Sequence, residues 1–138
     1  VSTALVLVHL DSLGPFNAET GMGWELAGDL AEAAHDHVGP VIGIVQGWRE
    51  RLARPVVETI ENRADGHLVE FDEDVSDWED FLPNLLSLLH SVGATSAVVG
   101  GLWFEPGGQY GCVNETAAFL GQHMPTTIDE TIVGTMEE

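Results

Sequence analysis

The stretch Ala4-Leu5-Val6-Leu7-Val8-His9-Leu10 is apolar at every position but one, and it stops at Asp11. A strand with one face in water alternates apolar and polar side chains. A run without alternation is expected of a strand covered on both faces, the usual condition of a parallel sheet. Working outward, Gly14-Pro15 reads as a turn, and Leu26, Leu30, Ala33 and Ala34 then recur at helical spacing until Gly39-Pro40 ends the pattern. Val41-Ile42-Gly43-Ile44-Val45 is a second buried run. His67-Leu68-Val69-Glu70-Phe71 reads as a third strand, residues 95–102 as a fourth and residues 127–133 as a fifth. Between them, Pro55 opens a short helix carrying Val56 and Ile60. Ser76-Asp77-Trp78-Glu79 has the form of a capping box ahead of Phe81, Leu82, Leu85, Leu86, Leu89 and Val92, with Gly93 as the stop. A last helix begins near Cys112 and presents Val113, Ala117 and Leu120. Strands alternating with amphipathic helices predict an α/β fold, a three-layer αβα sandwich around a mostly parallel five-stranded sheet, with residues 1–138 in one domain.

Composition narrows the functions open to such a fold. The chain has 138 residues, enough for a substantial core, and a hydrophobic fraction of 44%, so its formal charge of −19 belongs to a folded surface and not to a disordered chain. All four basic residues are arginines, at positions 49, 51, 54 and 63, against 23 acidic ones. No basic stripe forms from these, which argues against nucleic acid and against an anionic membrane surface as partners. Mutual repulsion of so many carboxylates is relieved by salt, and the composition reads as that of a halophilic protein from a salt-rich cytoplasm. No apolar run approaches the roughly 20 residues of a membrane span, and residues 1–8 show no secretory leader. The single cysteine permits neither an internal disulfide nor a thiolate-rich metal site. His35-Asp36-His37 sit at adjacent helical positions that point apart, and the polar face of a solvated helix accounts for them. No metal and no cofactor is expected.

Parallel sheets bind ligands beyond the carboxyl ends of their strands, where the strand order reverses. The first strand delivers His9 and Asp11 to that edge, and the fourth delivers the loop Gly107-Gly108-Gln109-Tyr110-Gly111-Cys112. A helix start offers unpaired N–H groups and a positive partial charge, so Cys112 is placed where a thiolate is favoured, with a pKa expected below a free thiol's. Asp11 beside it would take or relay its proton, and the N–H groups near Gly111 and Cys112 would hold an oxyanion. Acyl transfer is the chemistry this set suits. A tryptophan follows each of the first four strands, at positions 24, 48, 78 and 103. Trp103, Phe104, Phe16, Tyr110 and His9 are the candidate lining of an apolar substrate pocket. His9 itself, within a buried run, fits a hydrogen-bonded core histidine better than a base.

Taken together, Leu5 to Asp11, Ala97-Val98-Val99-Gly100-Gly101-Leu102 and Cys112-Val113-Asn114-Glu115-Thr116-Ala117-Ala118 resemble the isochorismatase-like cysteine hydrolases. The resemblance is most specific in the Cys-Val-x-x-Thr-Ala segment. It implies a parallel-sheet fold, hydrolysis of small amides such as nicotinamide-like and carbamoyl compounds or of the vinyl ether of isochorismate, and a dimer or larger homo-oligomer. It places the nucleophile at Cys112, the catalytic acid at Asp11 and the oxyanion hole just before Cys112. The family's catalytic lysine would follow the third strand, where Phe71-Asp72-Glu73-Asp74 stands, and the chain contains no lysine. Acidic groups cannot replace it, because a carboxylate raises a thiol's pKa where an ammonium lowers it. Arg49, Arg51 and Arg54, after the second strand, are the cations within reach by sequence. The expected function is cysteine-dependent hydrolysis of a small amide or related acyl compound. The competing expectation keeps the fold as a non-catalytic binding protein that uses the aromatic pocket or an oligomer interface, and a third makes Cys112 a redox-sensing thiol.

Overall fold

The computed structural model describes residues 2–46, 51–108 and 110–135. Five strands form one sheet: β1 (Ser2–Val8), β2 (Val41–Val45), β3 (Gly66–Glu70), β4 (Ala94–Phe104) and β5 (Thr126–Thr135). Their order is β3-β2-β1-β4-β5 and every neighbouring pair is parallel. Five helices cover it: α1 (Leu13–Thr20), α2 (Gly23–Asp36), α3 (Arg54–Glu61), α4 (Trp78–Ser91) and α5 (Cys112–Gly121). A single 3₁₀ turn, Leu10–Ser12, joins β1 to α1.

The unalternating run at the start of the chain behaves as its composition requires. Ala4, Val6 and Val8 pack with Ile42, Ile44, Leu85, Leu89, Val113 and Leu120 on the α4–α5 face. Leu5 and Leu7 pack with Leu30, Val56 and Ile60 on the α1–α2–α3 face. Both sets are at most 3% exposed, so β1 is the centre of the two apolar layers. At roughly 1.5 to 3 kcal/mol for each fully buried aliphatic side chain, these two layers supply the main drive to fold.

Three local expectations are corrected. Gly14-Pro15 is no turn, since both residues lie in the first turn of α1, where proline's missing N–H would have had no intrahelical partner. The capping box at Ser76 does not form: Asp77 is the N-cap of α4 and makes no side-chain cap bond. His37 leaves the solvated face of α2, becomes its C-cap, and its Nε2 lies 2.7 Å from the carbonyl of Thr3. Residue type marks the starts of α3 and α4, but which side chain closes a cap depends on where the preceding chain enters.

The sheet order reverses between β1 and β4, the pair in register from Thr3↔Ser96 to Val8↔Gly101. Gly101 has φ 102°, a conformation that L side chains rarely adopt, and a Cβ there would strike the main chain of Val8. This close approach sets the ends of β1 and β4 side by side. Gly101→Ala is expected to destabilise the protein by about 3 kcal/mol or more, through combined backbone strain and steric conflict. Gly28→Ala, in α2 with open space around its Cα, is expected to stabilise by about 0.5 to 1 kcal/mol. Urea denaturation of the two variants beside the parent checks both signs.

Candidate active site

Cys112 is the first residue of α5, after the N-cap Gly111, whose φ of −70° and ψ of 147° are extended. Gly111 must lack a side chain, because a Cβ would collide with the carbonyl of Trp103 and lie 2.7 Å from Asn114 Oδ1. The loop before α5 is held by Asn114. Its Oδ1 accepts from the Glu105 N–H at 2.9 Å, and its Nδ2 donates to the carbonyls of Glu105 at 2.9 Å and Gly108 at 3.1 Å. From the core side, the Thr116 hydroxyl donates to the Cys112 carbonyl at 2.6 Å and accepts from Trp78 Nε1 at 3.2 Å. Thr116 is fully buried, so this pairing satisfies a polar group that would otherwise cost about 1 to 3 kcal/mol to leave unbonded. Cys112 therefore stands on a helix start fixed from two directions.

The other half of the site comes from the end of β1. His9 has φ 47° and ψ 57°, left-handed for a residue that carries a Cβ, and this turns the chain into the 3₁₀ turn that holds Asp11. Asp11 Oδ1 accepts from the N–H of Gln46, just past β2, at 2.9 Å. That bond orients the carboxylate across the ends of both strands. The His9 ring lies 4.6 Å from the Trp78 ring and 5.7 Å from Phe71, centroid to centroid. Its Nδ1 is 3.9 Å from Asp11 Oδ1, beyond hydrogen-bond length but within strong electrostatic range.

Electrostatics reverse one expectation. The Cys112 thiol is not lowered but pushed up to about 11, first by burial, then by the carboxylates of Glu115 and Asp11. Burial also lowers His9 from its ordinary value, against the pull of Asp11 and Glu73, so the imidazole is neutral at pH 7. Glu115 is itself raised by burial and by Glu79. Among the described residues the arginines do not restore the balance: Arg51 lies over the Trp24 ring at 5.7 Å, and Arg63 is bonded to Asp65 and the carbonyls of Ala34, His35 and Gly39. Arg54 is exposed on the first turn of α3, and Arg49 lies outside the described residues, as does Trp48. The helix start alone does not offset burial beside two carboxylates.

The aromatic residues singled out by sequence are distributed differently from the two polar ones. Trp103 and Phe16 meet at 5.8 Å on the α1–α2–α3 face, while Phe104 packs into the opposite layer and Tyr110 is 80% exposed. Of the proposed lining, only His9 stands with Asp11. The aromatics around it are Phe71, Trp78 and Phe81, a cluster with Phe71–Trp78 at 4.9 Å and Trp78–Phe81 at 5.0 Å. In the sequence, Trp78 is one tryptophan among four. Trp78 opens α4 in helical register with Phe81, Leu82, Leu85 and Leu89, and that spacing is the signal that it turns inward. A cleft of about 870 Å³ opens beside the same helix start, lined by Glu79, Leu82, Phe104, Asn114, Glu115 and Phe119 among others.

No protein-family model and no curated protein matches the chain. Among solved structures, the chain is similar to the nicotinamidase SaPncA from Staphylococcus aureus, with a TM-score of 0.60 over 98% of this chain and 86% of that one, at 15% sequence identity. At that identity the likeness is one of fold: the parallel five-stranded sheet with its flanking helices is the architecture of a nicotinamidase.

Proposed function

We propose that the protein is a cysteine-dependent hydrolase of a small amide or related acyl substrate, with Cys112 as nucleophile and Asp11 as its proton partner. The observation that supports this reading is topological: adjacent parallel strands β1 and β4 carry Asp11, in the turn after β1, and the loop leading to Cys112 to one edge of the sheet, where the Asp11 carboxylate acts on the thiol. Support comes also from the nicotinamidase-like fold and from the fixed, side-chain-free approach at Gly111. In the first step, Sγ attacks the substrate carbonyl carbon while Asp11 takes the thiol proton. The tetrahedral oxyanion is received by the N–H groups at Gly111 and Cys112. Collapse expels the amine with the proton held by Asp11, leaving a thioester. Water then attacks that thioester, Asp11 again accepting a proton, and the acid departs as Cys112 regains its thiol. The same reading takes residues 1–138 as one domain, acting as a dimer or larger assembly in a salt-rich cytoplasm, without metal or cofactor.

A thiol held near 11 and the absence of lysine favour a second reading, in which the fold is retained for binding alone. The 870 Å³ cleft would then be the ligand site, since neither Asp11 nor Cys112 lines it. Steady-state assays on nicotinamide and other small primary amides separate the two. On the hydrolase reading, the parent turns over at least one of them, Cys112→Ser abolishes turnover, and Asp11→Asn lowers kcat/KM by about a hundredfold or more. Binding of an amide without turnover, undiminished in Cys112→Ser, selects the binding protein instead.

The electrostatic origin of the high thiol pKa has its own check. Glu115→Gln removes a negative charge that disfavours the thiolate, so its pKa falls and iodoacetamide labelling of Cys112 at pH 9 becomes faster than in the parent. In both proteins labelling keeps rising as pH climbs toward the parent's value of about 11. Equal rates for the two at pH 9 would show that the Glu115 carboxylate does not contribute to the thiol's pKa.

A further inference from the structure

We propose, on the hydrolase reading above, that His9 is the proton-holding residue of the Cys112 site and acts through Asp11, in the role that a lysine would otherwise fill. The grounds are positional. His9 is held in a left-handed conformation that few residues with a side chain adopt, at the point where β1 meets the Asp11 turn. Its ring is fixed against Trp78 and Phe71, and Trp78 bonds through Thr116 to the carbonyl of Cys112. The imidazole and the first turn of α5 thus rest on one indole. Asp11 faces both, 3.9 Å from His9 Nδ1 on one side and acting on the thiol on the other.

The chemistry balances without any further reagent. The S–H bond of Cys112 breaks, Asp11 receives the proton and, once side-chain rotation closes the 3.9 Å gap to hydrogen-bond length, passes it to Nδ1 of His9, so that thiolate, carboxylate and imidazolium remain. The imidazolium then offsets the carboxylate that opposes the thiolate. When the amine leaves, the proton returns by the same route. A neutral imidazole suits this better than an ammonium, because it has a lone pair free to accept at neutral pH. The charged groups facing the pair are Asp11 on the turn, Glu73 after β3 and Glu115 on α5, with Glu79 of α4 behind Glu115. All are acidic, and Asp11 and Glu73 favour the charged imidazole, so these two stabilise an imidazolium once it forms.

The test follows iodoacetamide labelling of Cys112 against pH in the parent and in His9→Asn, asparagine being a residue that tolerates the left-handed conformation. At neutral pH the parent should label through a shoulder that precedes the main rise. That shoulder should fall away on the acid side, below the ordinary imidazole value of 6.5. His9→Asn should lose the shoulder, label about tenfold more slowly or worse at neutral pH, and recover on addition of free imidazole. Circular dichroism verifies that the variant is folded. If it is not, the parent's own profile decides, and a parent without an acid-side fall overturns the proposal. So does a folded His9→Asn with the parent's profile. Amide turnover is read separately. Turnover with an unchanged pH profile in His9→Asn overturns the role of His9 and leaves the hydrolase reading standing, whereas His9-dependent labelling without turnover upholds the proton route and removes the hydrolase reading.

Discussion

The site depends on the contact between the ends of β1 and β4, where Gly101 lies against the main chain of Val8. A side chain at Gly101 would force the strands apart at the one place where the sheet order turns back on itself. Because they stay close, the turn after Val8 and the loop after Phe104 leave the sheet at the same edge. Residues remote in sequence, Asp11 after one strand and Cys112 on the helix that follows the other, come within electrostatic reach of each other. Asn114 then fixes the return of the loop, and Trp78 with Thr116 fixes the helix from below. The reactive groups are positioned by main-chain geometry first and by side-chain bonds second.

Within that frame, charge decides what the cysteine can do. A site that stores a thiolate needs a cation beside it, and among the described residues the arginines are engaged or exposed elsewhere. A half-buried thiol acted on by Asp11 and Glu115 stays protonated at neutral pH. Its nucleophilicity must then be generated during reaction, by proton removal, rather than held ready beforehand. On the proposed hydrolase reading, Asp11 is the group that removes that proton.

How far the sequence discloses this differs between fold and site. The layered α/β architecture is readable because periodicity reports burial directly: residues 4–8 do not alternate, and the two core layers divide them as a doubly covered strand must. Cys112 and Asp11 are readable as residues, since loops after parallel strands meet at a strand-order reversal. Their electrostatic balance is not, because it depends on how deeply α5 sinks and on Glu115 turning toward the thiol. The aromatic surroundings are not readable either. Nearness in sequence favours Trp103 and Phe104, yet these pack on opposite faces of the sheet, while Trp78 and Phe71 arrive at His9 from separate elements. Single-sequence patterns give the face of an element, but not which elements share a pocket.

Salt should act on the site unevenly, and this connects its electrostatics to the composition of the whole chain. Screening shortens to roughly 3 Å at 1 M ionic strength, and it weakens interactions between exposed charges far more than between covered ones. Glu73 is exposed and Glu115 only partly covered, whereas the Asp11 side chain is 20% exposed and the His9 side chain 12%. High salt therefore damps the carboxylates around the rim while leaving the Asp11–His9 interaction largely intact. Burial, which salt does not relieve, remains the leading cause of the high thiol pKa. A strongly acidic surface thus interferes least with the buried Asp11–His9 pair under the conditions that also best relieve the repulsion across the rest of the fold.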